Sequence, residues 1–219
     1  MKQKNIVIFS AISLILIFIA GVIFYTGQQE KAAKRLAEAN LNSMIRMHSP
    51  SFGKADAPVV IVEFFDPACE TCAAFYPKVK QMIAANPGKI RLVLRYAPFH
   101  NGSDKVVAVL EAARKQGKFW PTLEALLNSQ SEWVQNHAAQ SARIWHPLEK
   151  VGLNLEQLAF DMASPEIAAV ITQDLADAKT LNVTMTPEYF VNGKPLPSFG
   201  LEQLQSLVEK EVAAAKLSQ

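Results

Sequence analysis

The longest pattern in the chain is an apolar run at residues 6–25, interrupted only by Ser10, Ser13 and Gly21. At about 1.5 Å per helical residue, roughly 20 residues cover the hydrocarbon core of a bilayer, so the run predicts one membrane-crossing helix. A cleaved signal peptide is the competing reading, because Lys2 and Lys4 give a basic start. Such a peptide has a shorter apolar stretch and a small-x-small cleavage site, and neither is evident. Flanking charge is nearly balanced between Lys2 and Lys4 on one side and Lys31, Lys34 and Arg35 on the other. A long C-terminal domain translocates largely regardless of such charges, so the expected topology is a short cytoplasmic tail and an exported domain.

Residues 28–48 carry apolar positions at Ala33, Ala37, Leu41 and Met44/Ile45, a helical period within Ala, Lys, Glu and Arg. They predict a stalk helix, either self-associating through that stripe or solvated as a spacer. Met44, Met47 and His48 could also hold a soft metal ion, although methionine at helical spacing usually means packing. Ser49-Pro50, Gly53 and Ala57-Pro58 punctuate the exit.

Residues 58–65 (PVVIVEFF) and 89–96 (KIRLVLRY) read as strands, and 70–86 between them has a helical face at Phe75, Val79, Met82 and Ile83. This is a β-α-β unit. Helices are expected over 104–116, 120–128, around 132–151, 154–162 and 165–181, with Ser103, Asn154 and Ser164-Pro165-Glu166 marking starts. A strand at 188–191, a turn at Asn192-Gly193, an edge strand at 194–197 and a closing amphipathic helix at 201–216 complete the chain. The expected organisation is an anchor at 1–27, stalk and linker at 28–57, a first core part at 58–102, a helical insertion at 103–182 and a second core part at 183–219.

Half of the 219 residues are hydrophobic and 19% are charged, which fits a folded domain. The net charge of +2 lacks the basic excess of a nucleic-acid binder. Only Cys69 and Cys72 are present, so there is neither a disulfide framework nor a four-cysteine zinc site. His48, His100, His137 and His146 show no zinc-finger spacing, and His100, His137 and His146 read as structural. Trp120, Trp133 and Trp145 are expected to pack the insertion.

One motif remains, a C-x-x-C at a strand-to-helix junction. Cys69 at a helix N-terminus meets unpaired N–H groups and the positive end of the dipole, which favour a thiolate. Cys72, one turn on, is placed to resolve a mixed disulfide. Half of a metal site or two packed thiols are the alternatives.

The residues Val62-Glu63-Phe64-Phe65-Asp66-Pro67-Ala68-Cys69-Glu70-Thr71-Cys72, and later Thr186-Pro187-Glu188-Tyr189-Phe190-Val191-Asn192-Gly193, resemble the DsbA/DsbG-type family of exported thiol-disulfide oxidoreductases. The resemblance covers residues 58–215. It implies an α/β, thioredoxin-like fold with an all-helical insertion, here preceded by a single N-terminal membrane anchor and a stalk helix. It implies Cys69 as nucleophile, Cys72 as resolving thiol, Pro187 as the family's cis-proline and Thr186 as the residue whose backbone pairs with substrate. Glu63 matches a buried acid that relays a proton to the resolving thiol, unless Arg95 neutralises it in an ion pair.

The implied activity is disulfide exchange with cysteine-containing exported proteins, as an oxidase, with reductase or isomerase action as the alternative. A membrane redox partner would recycle the thiols, and neither a metal nor a cofactor is expected. The implied place is the inner membrane, single-pass, with the catalytic domain in the periplasm or on the extracytoplasmic face. A thiol-based metal-binding or holdase module is the reading from a different class. Pro67, Met185 and the Glu70-Thr71 pair depart from the family pattern, and Glu70 is expected to oppose a thiolate at Cys69.

Overall fold

The computed structural model describes residues 2–217, with the side chains of residues 12–41 and 43–217. The chain divides into two compact units, Met1–Ala39 and Asn40–Gln219. Helix α1 (Lys2–Met44) accounts for the first. Among the described residues it is the one helix long and apolar enough to cross a membrane, over Ile12–Leu41. Its large apolar side chains between Ile12 and Tyr25, such as Leu14, Phe18 and Phe24, are exposed. Side chains at positions 6–11 of the predicted run lie outside the described residues.

The second unit opens with β1 (Ser51–Gly53), β2 (Val59–Phe65), α2 (Glu70–Ala85) and β3 (Ile90–Tyr96). An insertion follows, with α3 (Ser103–Lys115), α4 (Phe119–Asn128), α5 (Gln130–Trp133), the small strands β4 (Val134–Gln135) and β5 (Ala138–Ala139), and α6 (Trp145–Leu148). After a 3-10 turn at Glu149–Val151 come α7 (Leu155–Met162) and α8 (Pro165–Thr180). The chain closes through β6 (Glu188–Val191), β7 (Lys194–Pro195) and α9 (Leu201–Leu217).

The strand order is β1-β3-β2-β6-β7, with β2 and β3 parallel and the other pairs antiparallel. Both central strands are buried on both faces, hence their nearly continuous apolar runs. Alternate residues belong to opposite cores. Ile61 and Phe65 of β2, with Leu92, Leu94 and Tyr96 of β3, join α2, α3 and α9 in the larger core. Val62, Phe64 and Val93 pack on the other face with Met44, Ala178 and Phe190. That parity decides the environment of every polar residue on these strands.

Arg95 lies on the second face and is fully buried. Its guanidinium donates to Asp174 at 2.7 and 3.0 Å, to Asp177 at 2.5 Å and to the Met44 carbonyl at 2.6 Å. Arg46 adds a two-pronged contact to Asp177 at 2.8 and 2.9 Å, and His48 meets Asp174 at 2.6 Å. Burial pushes the Asp177 carboxyl up, but the hydrogen bonds from Arg46 and Arg95 outweigh it and hold it at about 2. This network ties residues 44–48 to β3 and α8. It also disperses the soft-metal group considered for the stalk, since Met44 is buried, Met47 is fully exposed and His48 is held by Asp174.

Two further expectations change. The segment around 132–151 is not one helix, because Asn136 and His137 both take positive φ and turn the chain into the β4–β5 hairpin. The stretch read as mere punctuation after Pro50 contains β1, a three-residue strand paired with β3. Trp133 is fully buried, its indole N–H donating to the Leu126 carbonyl at 2.9 Å, whereas Trp120 and Trp145 are half-buried.

Candidate active site

The loop between β2 and α2 is built on Asp66. Its carboxylate is fully buried and accepts the Ala68 N–H at 2.8 Å, an Asx turn that sets up the helix start. It also accepts from Ser103, from the His100 N–H at 2.8 Å and from the His100 Nδ1 at 2.7 Å. Gln130 of the insertion donates to the carbonyls of Pro67 and Cys69 at 2.8 and 3.0 Å. Gln130 was not singled out by sequence, and Asp66 stood there only within the motif before the C-x-x-C, although an Asp two positions before Ala68 is an Asx-turn signature.

Cys69 is the N-cap of α2, its sulfur accepting the Cys72 N–H at 3.4 Å. Across the groove its thiol is 3.2 Å from the Thr186 carbonyl, and the Thr186–Pro187 bond is cis. Thus Cys69, Cys72, Thr186 and Pro187 meet, although over a hundred residues separate the two segments. Both cysteines are free thiols.

The two thiols differ sharply. The hydrogen bond from the Cys72 thiol, helped by backbone N–H groups and Thr186, brings Cys69 down to about 6 against the opposing effect of burial. Cys72 is driven well above its ordinary value, first by burial and then by its bond to Cys69 and the nearby Glu63. The pair therefore shares one proton that sits on Cys72. The half-exposed Glu70 carboxylate lies 3.3 Å from Nδ1 of His137.

Glu63 falls on the same face of β2 as Ile61 and Phe65, inside the larger core. Burial raises its carboxyl to about 8, with the Tyr189 hydroxyl pulling back part of the shift and Cys69 adding to it. Among the described residues neither carboxyl oxygen is at hydrogen-bond geometry with a partner, and neither is the Tyr189 hydroxyl, although Tyr189 is Glu63's direct partner in the β2–β6 register. Glu63 has no ion pair with Arg95. In the parallel register Glu63 faces Leu94 and Phe64 faces Arg95, which puts the acid and the base on opposite faces. At neutral pH the site thus contains a protonated carboxyl beside a buried thiol.

A family profile described as thioredoxin matches residues 46–210. The first curated relatives are sodium/proton antiporters, among them NhaA of Herminiimonas arsenicoxydans, 30% identical over 144 residues. The alignment takes in 66% of this chain and 22% of the antiporter, so the chain spans about a quarter of the length of these relatives. A probable disulfide bond formation protein D of Bacillus cereus is 31% identical over 173 residues, 74% of this chain and 78% of that one. A thioredoxin-like oxidoreductase from Silicibacter pomeroyi DSS-3 superposes with a TM-score of 0.67 at 32% identity, covering 77% of this chain and 95% of that chain. BdbD of Bacillus subtilis, at 24% identity and a TM-score of 0.66, has the same fold over 76% of this chain and 94% of its own. The chain belongs to the thioredoxin family, in the branch that includes the disulfide bond formation proteins.

Proposed function

We propose that the chain is a thiol-disulfide oxidoreductase that oxidises cysteines in exported proteins. The observation that carries this reading is the placement of Cys69 as N-cap of α2, its sulfur 3.4 Å from the Cys72 N–H and 3.2 Å from the Thr186 carbonyl, with Cys72 buried one turn on; a Cys69 thiol lowered to about 6 and a Cys72 thiol pushed up accord with it. One sulfur is a thiolate at neutral pH and the other keeps its proton, which is the division of labour disulfide exchange needs. In the oxidising direction a substrate thiolate attacks Sγ of Cys69 in the Cys69–Cys72 disulfide. Cys72 departs with the electron pair of the broken S–S bond and takes a proton, for which Glu63 is the buried donor. A second substrate thiolate then attacks the mixed disulfide and releases Cys69 as thiolate, so two electrons pass from substrate to the pair.

The oxidase direction is supported by the same asymmetry, because stabilising the thiolate stabilises the reduced protein. A thiol at about 6 stands between about 3.5 for a strong oxidant of this fold and about 7 for its reductant. Pro187 walls the groove and Thr186 offers its backbone to an extended substrate chain. Half-exposed Met185 and Phe199, the latter stacked on Phe75 of α2 at 5.7 Å, supply apolar surface suited to unfolded polypeptide. The apolar face of α1 supports single-pass anchoring with the domain in the periplasm or on the extracytoplasmic side, where a membrane redox partner would reoxidise the pair. Trapping tests the assignment. Cys72→Ala should accumulate mixed disulfides with exported proteins through Cys69, Cys69→Ala should accumulate none, and equal trapping by both would refute it.

A further inference from the structure

Beside the mouth of the thiol pair, three elements deliver ligand-type side chains to one spot. Glu70 is the first residue of α2, His100 lies between β3 and α3, and His137 sits in the turn between β4 and β5. One ligand atom from each lies within 4.8 Å of the others. We propose that Glu70, His100 and His137 form a binding site for a divalent transition-metal ion of the zinc type, with water completing the shell.

The local build supports this. His137 and Asn136 take φ of 57° and 49°, which turns the hairpin so that His137 stands at its tip. The hairpin is fastened to the His100 loop by the Ala139 N–H donating to the Asn101 carbonyl at 2.9 Å. Gly102 permits the approach, because a Cβ there would stand 2.8 Å from the Ala139 carbonyl oxygen. Asp66, an acceptor only, engages Nδ1 of His100 at 2.7 Å. In the tautomer whose Nδ1–H donates to Asp66, Nε2 of the neutral ring is left with its lone pair free to ligate. A carboxylate holding one imidazole nitrogen so that the other can ligate is the usual outer shell of a metal-bound histidine.

The donor set also fits. Two imidazoles and one carboxylate with an open fourth position suit zinc at bond lengths of about 2.0–2.1 Å, and a tetrahedron of that size has edges of about 3.3 Å. His137 Nδ1 and Glu70 Oε1 already stand 3.3 Å apart. Their side chains are 78% and 55% exposed, so they are free to close the remaining distances by rotation. Sequence spacing gave no hint of this, since the three residues share no local motif.

The inference goes beyond the exchange reaction and is tested without turnover. The full chain in detergent is first oxidised so that Cys69 and Cys72 are tied in a disulfide and cannot bind metal. It is then titrated with zinc ion alone by calorimetry. One ion per chain is expected, with affinity reduced by at least about tenfold in His137→Ala and in Glu70→Gln. His146→Ala, which removes a histidine lying 3.7 Å from Glu132 elsewhere on the surface, should bind like wild type. Circular dichroism matched to wild type separates loss of the site from loss of the fold. No saturable binding, undiminished affinity in His137→Ala, or an equal loss in His146→Ala would overturn the site. Binding confined to the reduced chain and abolished by Cys69→Ser would assign the ion to the thiols instead.

Discussion

Glu63 and Asp174 are both fully buried acids attached to the same pair of strands, one on each face. Asp174 receives the Arg95 guanidinium, His48 and the Tyr96 N–H at 2.7 Å, so its charge is satisfied inside the protein. Glu63 has no partner at hydrogen-bond geometry among the described residues, only the pull of the Tyr189 hydroxyl, and burial raises its carboxyl to about 8. The difference separates a charge that fastens the structure from an acid that burial favours in its neutral form. A buried ion needs partners or a proton, and the register alone decides which, because Arg95 points away from Glu63.

The sharpest way to break the contrast is to remove the shared base of the paired side. Arg95→Ala leaves Asp174 and Asp177 with Arg46 and His48 as basic neighbours at the edge, beside the neutral donors Tyr96 N–H and Gln173. Losing one partner of a buried ion pair costs about 3–5 kcal/mol, to be read as a fall in urea-unfolding stability. A loss under about 1 kcal/mol would mean that water replaces the guanidinium.

On the unpaired side the sign reverses. Glu63 binds its proton more tightly folded, at about 8, than at its ordinary 4.5. Between those values the native state carries more protons than the unfolded one, so stability falls as pH rises from about 4.5 to about 8. The steepest slope is about 1.4 kcal/mol per pH unit. Glu63→Gln should flatten that limb and leave the protein more stable than wild type above pH 8. The disulfide form is the one to measure, since its thiols do not titrate; a wild-type limb that is already flat would contradict the buried, partnerless acid.

Asp177 gives the opposite limb. Its carboxyl is held at about 2 against an ordinary 3.8, so it contributes stability that is present above about 3.8 and is lost as pH falls through about 2. Asp177→Asn should cost about 2 kcal/mol at neutral pH and almost nothing at pH 2. Equal losses at both pH values would point to packing rather than charge.

How far this contrast was legible in the sequence follows from what is local. The strands β2 and β3 announced themselves because both faces are buried, and α8 because Ser164 caps and Pro165 opens it. The C-x-x-C and Thr186-Pro187 were readable as motifs; their meeting across the groove was readable only through family resemblance. Residues 132–151 misled because a buried Trp133 and Leu148 mimic a helical face while the turn at Asn136-His137 depends on backbone contacts to the Asn101 loop. The partners of Arg95 come from α8, nearly eighty positions away, and nothing in the local pattern encodes them. Parity could have excluded the Glu63–Arg95 pair, since parallel strands of equal length set residue 63 against 94.

The smallest effect concerns Tyr189, the residue that most nearly gives Glu63 a partner. Its hydroxyl pulls the Glu63 carboxyl downward against burial, yet it stands without a hydrogen bond of its own. Tyr189→Phe removes that pull and keeps the ring that stacks on Phe75 at 6.4 Å. A hydrogen bond of ordinary strength, about 0.5–1.5 kcal/mol, corresponds to at most about one pH unit. Glu63 should therefore titrate above about 8 in the variant, by less than a unit, seen as an upward move of the high-pH end of the stability limb. Stability near pH 6 should change little, because Glu63 is already protonated there and the substitution removes a buried hydroxyl that has no partner. A downward move would mean that the phenol favours the protonated acid, and Tyr189 would then belong with the groups that hold the proton on Glu63.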